Sequence, residues 1–406
     1  HWVTPILPPG EYGARLLPFL FGLLGLLVTW RLGKFLADGP GGFLGVTICA
    51  FSPWHVFVSG EARYWSLVYL LAAASILLLL RSREENTWET NIAAGCVIAA
   101  GALSHPTFIF PIVGIALASL FEFGETGLRL VWPRRRALLG TWLLSTTLIF
   151  GYHIALRLLG RGNGLSNWSG RGWQATFALV PAMMQLASLT LVTACVIGVI
   201  SALAWGTIRA KYAGLFTLLG LGAGTFLLLV ASTRTDVYAD YGVALLPLLI
   251  VGAVGTINLS PQSRRGTFAL GTAAILVAGM LPEFISQLSD GMRFDYRPAF
   301  AHIQADSSNA PAVVWPIAIQ RYYAPQIRGI EFAGGAGQLD SLALARTPFW
   351  VVASESRDGL VGQSAPATQS WLDKHCVRKQ TNGRRRFDYR IYRVILYFCT
   401  ADQRGS

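Results

Sequence analysis

The 406-residue chain is 53% hydrophobic and only 13% charged, with a mean hydropathy of +0.47. Soluble proteins carry about 25% charged residues, so this deficit excludes an ordinary water-soluble fold and makes lipid the main solvent. A net charge of +12 would suit a nucleic-acid binder if the basic residues formed one stripe, but here they are divided among short loops.

Ten apolar stretches read as membrane-spanning helices, each needing about 20 residues to cross the hydrocarbon. They lie at roughly 14–30, 40–58, 64–80, 91–104, 107–123, 137–156, 183–205, 212–231, 241–258 and 267–283. Residues 67–80 carry no charge on any face, which rules out the amphipathic helices of a soluble solenoid. The fourth stretch is short and runs into its neighbours, and residues 173–181 suit the membrane interface.

One alternating set of loops holds Arg31, Lys34, Arg81, Arg83, Arg129, Arg134, Arg135, Arg136, Arg209, Lys211, Arg264 and Arg265. The other set holds only Arg63, Arg157, Arg161, Arg171 and Arg234. Positive charge marks the cytoplasmic side, so the first set faces the cytoplasm and both ends of the chain face outward. Residues 1–13 are then the tail of an outer loop, 14–285 the transmembrane domain, and 286–406 a water-soluble extracytoplasmic domain. In that last part a helix over 297–306 alternates with strands over 312–315, 349–353 and 389–397, the pattern of a small α/β unit. Cys376 and Cys399 both fall there, where an oxidising compartment permits a bridge. Cys49, Cys96 and Cys195 lie in spans and read as small apolar residues.

Ionisable residues at the outer membrane face are the natural site candidates, because placing them near lipid is costly. Three polar clusters qualify. In Ser59-Gly60-Glu61-Ala62-Arg63-Tyr64-Trp65, Arg63 suits a phosphate and Glu61 can orient it, while Tyr64 and Trp65 belong at headgroup level. An interfacial anchor with Arg63 snorkelling is the competing reading. His105 lies in the next outer turn, where a polar turn residue is the competing reading. The third cluster holds Arg234 for a phosphate, and Asp236 or Asp240 for a sugar hydroxyl or a cation, next to Tyr238 and Tyr241. A loop ion pair is the alternative there. Neither zinc-ligand spacing nor a phosphate-cradling Gly-rich loop is present in the sequence.

Several of these segments resemble polytopic glycosyltransferases with the GT-C fold. Gly10-Glu11-Tyr12-Gly13-Ala14-Arg15-Leu16-Leu17-Pro18 with Phe21-Gly22-Leu23-Leu24 is similar to the start of that family's second helix. Phe51-Ser52-Pro53 followed by Ser59-Gly60-Glu61-Ala62-Arg63-Tyr64 resembles its "S-P…S-x-E-A-R-x-Y" segment. Tyr238-Ala239-Asp240-Tyr241 with Leu246-Pro247 resembles its late "R-Y…L-P" helix, except that Asp240 stands where the family has Arg. The segment from Phe294 to Phe300 and the pair Tyr322-Tyr323 resemble its outer domain. The likeness is nearest to the bacterial protein-mannosyltransferase-like and lipid-A-modifying branch, which includes transferases acting on rhizobial lipopolysaccharide.

The resemblance implies an integral-membrane transferase of the cytoplasmic membrane. Its donor would be a polyprenyl-phosphate sugar, and its acceptor a hydroxyl of a glycan, lipid or protein on the outer side, with inversion. No cofactor is required in principle, although some relatives employ a divalent ion. The family's catalytic Asp or Glu sits in the first outer loop; the chain starts at His1, and the resemblance places that acid upstream of it. Glu61, Arg63, Tyr64, His105, Arg234, Asp236, Tyr238, Asp240 and Tyr241 are the expected substrate-binding residues. A non-catalytic glycan-binding, lipid-binding or transport protein of related fold is the alternative.

Overall fold

The computed structural model describes residues 11–130, 144–152, 155, 172–290 and 295–400, with breaks at 62, 86, 125–126, 150, 234–236, 238, 307, 316, 333–334, 346, 357–358, 361–364, 383–384, 387–389 and 392. The chain forms two compact units that part between Gln287 and Leu288.

The first unit is helical. Helix α1 (Glu11–Phe51) is two arms joined by a break at Ala37 and Asp38, where Asp38 takes a positive φ of 53°. Pro40, which lacks an N–H, follows after Gly39, and Gly33 lies so close to the Gly41 carbonyl that a Cβ would collide with it. The stretch expected at 14–30 is thus the first arm of a tight helical hairpin, and the one expected at 40–58 joins its second arm to the next helix, Pro53–Gly60. Next come α2 (Pro53–Gly60), α3 (Trp65–Glu85), α4 (Trp88–Ser104) and α5 (Ile109–Ser119). A short hairpin of β1 (Phe121–Gly124) and β2 (Gly127–Leu130) follows. Helices α6 (Gly172–Ala187), α7 (Leu189–Trp205), α8 (Ile208–Ser232), α9 (Leu246–Val254) and α10 (Arg265–Asp290) complete the unit. A 3₁₀ segment, Ala239–Leu245, leads into α9.

Among the described residues five helical segments are long and apolar enough to span a membrane: Arg15–Phe51, Trp65–Glu85, Ile208–Ser232, Ala239–Leu259 and Gln262–Ile285. A sixth arises if Leu179–Ala187 and Leu189–Trp205, bent by 84° at Ser188, count as one. The sequence reading of ten spans differs for identifiable reasons. It separates the two arms of α1 and includes the short helices Trp88–Ser104 and Pro106–Ser119, and most of 137–156 lies outside the described residues.

Leu23, Leu27, Phe226, Leu270 and Ile275 point outward, 47–69% exposed. Between the helices the pattern reverses: Gly114 meets the Leu219 carbonyl and Gly198 that of Gly252, each too close for a Cβ. Small residues inside and large apolar ones outside are the arrangement that lipid selects, since no hydrophobic force separates lipid tails from leucine. The chain is a multi-pass membrane protein.

The second unit is a mixed sheet between helices. Its elements are α11 (Arg297–Ala305), β3 (Ala312–Val314), α12 (Ile317–Tyr323), β4 (Gly329–Glu331), α13 (Gly335–Leu344), β5 (Phe349–Ser356), β6 (Gly359–Leu360), α14 (Ala365–His375) and β7 (Cys376–Asn382). A two-stranded pair, β8 (Arg385–Arg386) and β9 (Arg390–Ile391), and then β10 (Arg393–Cys399) end it. The strand order is β4-β3-β5-β10-β7. β3 runs parallel to β4 and β5, and β10 antiparallel to β5 and β7.

Alternate residues build two cores. Ala312, Val314, Trp350, Val352, Val394 and Leu396 pack with Tyr296, Phe300 and Ile303. Val313, Val351, Ile395 and Tyr397 pack on the other face with Leu339, Trp371 and Leu372. This is the small α/β unit expected from the alternation of helix-like and β-rich stretches. Cys376 and Cys399 stand directly opposite each other in β7 and β10 and are disulfide-bonded.

Candidate functional site

Three sequence-distant segments meet at one end of the helical unit, and local chemistry sets each of them. Ser52 caps α2 by accepting from the His55 N–H, with Pro53 in the first turn. The helix stops at Gly60, and Glu61 turns to extended backbone (φ −81°, ψ 135°) before α3 begins at Trp65. His105 closes α4 through its N–H to the Gly101 carbonyl at 3.1 Å. It too is extended, as Pro106 demands of the residue before it. The third segment is Ala239–Leu245, which packs against α2, α3 and the Pro106–Phe108 turn.

These segments bring four rings together. Trp65 lies 4.6 Å from His105 and 5.2 Å from Tyr241, centroid to centroid, and His105 meets Tyr241 edge-on at 4.9 Å. Tyr64 stacks on His105 at 5.7 Å and is 45% exposed, so it forms the open side of the cluster. Thr107 ties the cluster down: its hydroxyl donates to the Tyr241 carbonyl at 2.9 Å and lies 2.7 Å from His105 Nδ1. Burial among these groups lowers the His105 pKa to about 4, so the ring is neutral at physiological pH and serves as a hydrogen-bonding group.

The charged candidates divide by depth. Arg63 is exposed beside Tyr64, whereas Glu61 and Asp240 are buried, at 2% and 5% exposure. Thus Tyr64, His105 and Tyr241 are joined directly through Trp65, and Glu61, Arg63 and Asp240 are carried by the same segments. Arg234, Asp236 and Tyr238 lie outside the described residues.

Two outcomes sharpen the sequence reading. Trp65 is 1% exposed, because it fills the space between His105 and Tyr241. His105 is more than a polar turn residue, since it contacts all three other rings. Thr107 was missed, although its position next to His105-Pro106 was the available signal. Among the described residues no three His, Cys, Asp or Glu side chains come together as a metal site.

The arrangement offers an exposed guanidinium, a cluster of aromatic rings and buried carboxylates at one end of the helical unit. An Arg fork matches phosphate geometry, and flat rings suit sugar faces.

Fold and site define the class: a polytopic membrane protein with a GT-C-type fold and a small α/β unit at its C-terminal end. The family described as Dolichyl-phosphate-mannose-protein mannosyltransferase matches residues 2–155, the part that holds Glu61, Arg63, Tyr64, Trp65 and His105. Among solved structures the chain is similar to ArnT from Cupriavidus metallidurans in the apo state, with a TM-score of 0.54 at 13% identity, covering 98% of this chain and 85% of that one. The structure of that protein bound to undecaprenyl phosphate aligns with a TM-score of 0.48 at 14% identity, covering 98% and 86%. No curated protein sequence matches the chain.

Proposed function

We propose that this protein is an inverting glycosyltransferase of the cytoplasmic membrane. It takes a sugar from a polyprenyl-phosphate donor and passes it to an acceptor hydroxyl on the outer side, where the C-terminal α/β unit also lies. The observation that carries this reading is the cluster of Tyr64, Trp65, His105 and Tyr241 with Arg63 at its rim. Two of its three segments fall inside the stretch that matches the dolichyl-phosphate-mannose-dependent family.

In this reading Arg63 pairs with the donor phosphate and stabilises the charge that grows on it as the glycosidic bond breaks. Tyr64 and Tyr241 present flat faces to the sugar or the first isoprene units, and His105 and Asp240 accept from or orient hydroxyls. A carboxylate deprotonates the acceptor hydroxyl, which attacks the anomeric carbon from the face opposite the phosphate.

The test is release of polyprenyl phosphate from a radiolabelled polyprenyl-phosphate sugar by purified full-length protein with a cell-envelope acceptor fraction. Acceptor-dependent release supports the transferase. Tight donor binding with no release under any acceptor would instead indicate a non-catalytic glycolipid-binding protein.

A further inference from the structure

The hairpin Phe121–Leu130 lies at the other end of the helices that form the site. It is anchored there by the Phe123 N–H donating to the Tyr212 hydroxyl at 2.9 Å, and by Arg83 Nη2 donating to the Phe121 carbonyl at 2.6 Å. Arg83 also sits over the Tyr212 ring at 3.3 Å.

The register places Phe121 opposite Leu130 and Phe123 opposite Leu128, so four apolar side chains share one face. Glu122 and Arg129 are paired on the other. Phe123 is occupied by Tyr212, with ring centroids 5.1 Å apart, whereas Leu128 and Leu130 are 47% and 66% exposed.

A four-residue strand pair cannot enter hydrocarbon, because its open edges would carry unsatisfied backbone groups there. Leu128 and Leu130 together give it an apolar face that gains free energy on leaving water. The headgroup layer is the environment that satisfies both. Its charge is indicated by the sequence that continues the hairpin: residues 121–136 hold four arginines against two glutamates, with Trp132 among them. At the neighbouring start of α8 Arg209 is paired with Glu84, and Lys211 adds its charge 6.0 Å from the Phe123 ring centroid.

We propose that this hairpin is an amphipathic foot that inserts Leu128 and Leu130 into the anionic phospholipid headgroup layer on the basic side of the membrane. It would hold the bundle at a fixed depth, opposite the face that carries the site. Basic residues near an anionic leaflet each contribute an attraction of roughly fivefold in partition, which favours anionic over neutral lipid here.

The test uses the full chain in lipid nanodiscs, with Leu130→Cys in a Cys96→Ser background, since Cys49 and Cys195 are buried. The new thiol carries a nitrobenzoxadiazole fluorophore. The expected result is strong quenching by doxyl-labelled lipid, protection from aqueous iodide, and several-fold more quenching by doxyl-labelled phosphatidylglycerol than by the phosphatidylcholine analogue at equal content. Leu128→Cys should behave alike and serves if the first variant fails to fold. Iodide quenching as strong as at Leu344→Cys, 67% exposed in the α/β unit, would overturn the proposal. Equal quenching by the two labelled lipids would overturn it as well.

Discussion

Tyr64 and His105, forty-one positions apart in the sequence, stack with ring centroids 5.7 Å apart and planes inclined by 23°. Tyr64 is the exposed partner and His105 the half-buried one, so the pair joins solvent to the cluster behind it. That link depends on Thr107, which connects His105 to the Tyr241 carbonyl. Thr107→Val keeps the shape and removes both bonds. It should lower stability by about 1–3 kcal/mol, read as a lower melting temperature in detergent, with weaker donor binding. An unchanged melting curve would remove Thr107 from its assigned role.

His105 should remain neutral well below the pKa of an exposed imidazole. Burial disfavours the charged ring, so its folded value is about 4, against an ordinary 6.5. Because the unfolded chain binds the proton more readily, this stabilisation is complete above pH 6.5 and is lost as pH falls from there toward 4. Histidine-selective NMR titration checks it. A midpoint at or above 6.5 would show that the ring is solvated.

In the α/β unit, Cys376–Cys399 closes a sequence separation of 23 residues between neighbouring strands. Chain-entropy reasoning gives it about 3 kcal/mol of stability. A Cys376→Ser, Cys399→Ser double variant should therefore melt measurably earlier in this unit. Equal melting temperatures would mean the strands hold without the bridge.

Tyr296 Oη and Ser354 Oγ lie 2.5 Å apart in the first core of the same unit. Burial raises the Tyr296 pKa, so its phenol should ionise above the ordinary value in an alkaline absorbance titration. Tyr296→Phe should cost about 0.5–1.5 kcal/mol and remove that late-titrating component. A phenol titrating with the exposed tyrosines would contradict its burial.

The α/β unit was legible because β-rich runs at 312–315, 349–353 and 389–397 alternate with helix-like stretches, and most of their residues fall in β3, β5 and β10. The helices were legible from hydropathy, but their division was not. A window average cannot see that Asp38 adopts a left-handed backbone, or that Ser188 bends two apolar helices by 84°. At the site, Arg63, Tyr64, His105 and Tyr241 stood out as polar or aromatic residues in outer turns. The contact of Tyr64, His105 and Tyr241 through Trp65 is tertiary, made where Ala239–Leu245 packs on α2 and α3, and no local pattern encodes it. The burial of Trp65 was hidden for the same reason: an aromatic at a helix start looks exposed until the neighbours that cover it are known.

The central claim is that this end of the bundle binds a polyprenyl phosphate through Arg63. The most direct measurement is the affinity of purified protein for undecaprenyl phosphate by microscale thermophoresis, comparing wild type, Arg63→Ala and Arg63→Lys. Losing a charge-assisted contact of about 1.5–3 kcal/mol predicts roughly tenfold or greater weakening in Arg63→Ala. Arg63→Lys, which keeps the charge without the fork, should fall between. Equal affinity across all three proteins would contradict the account.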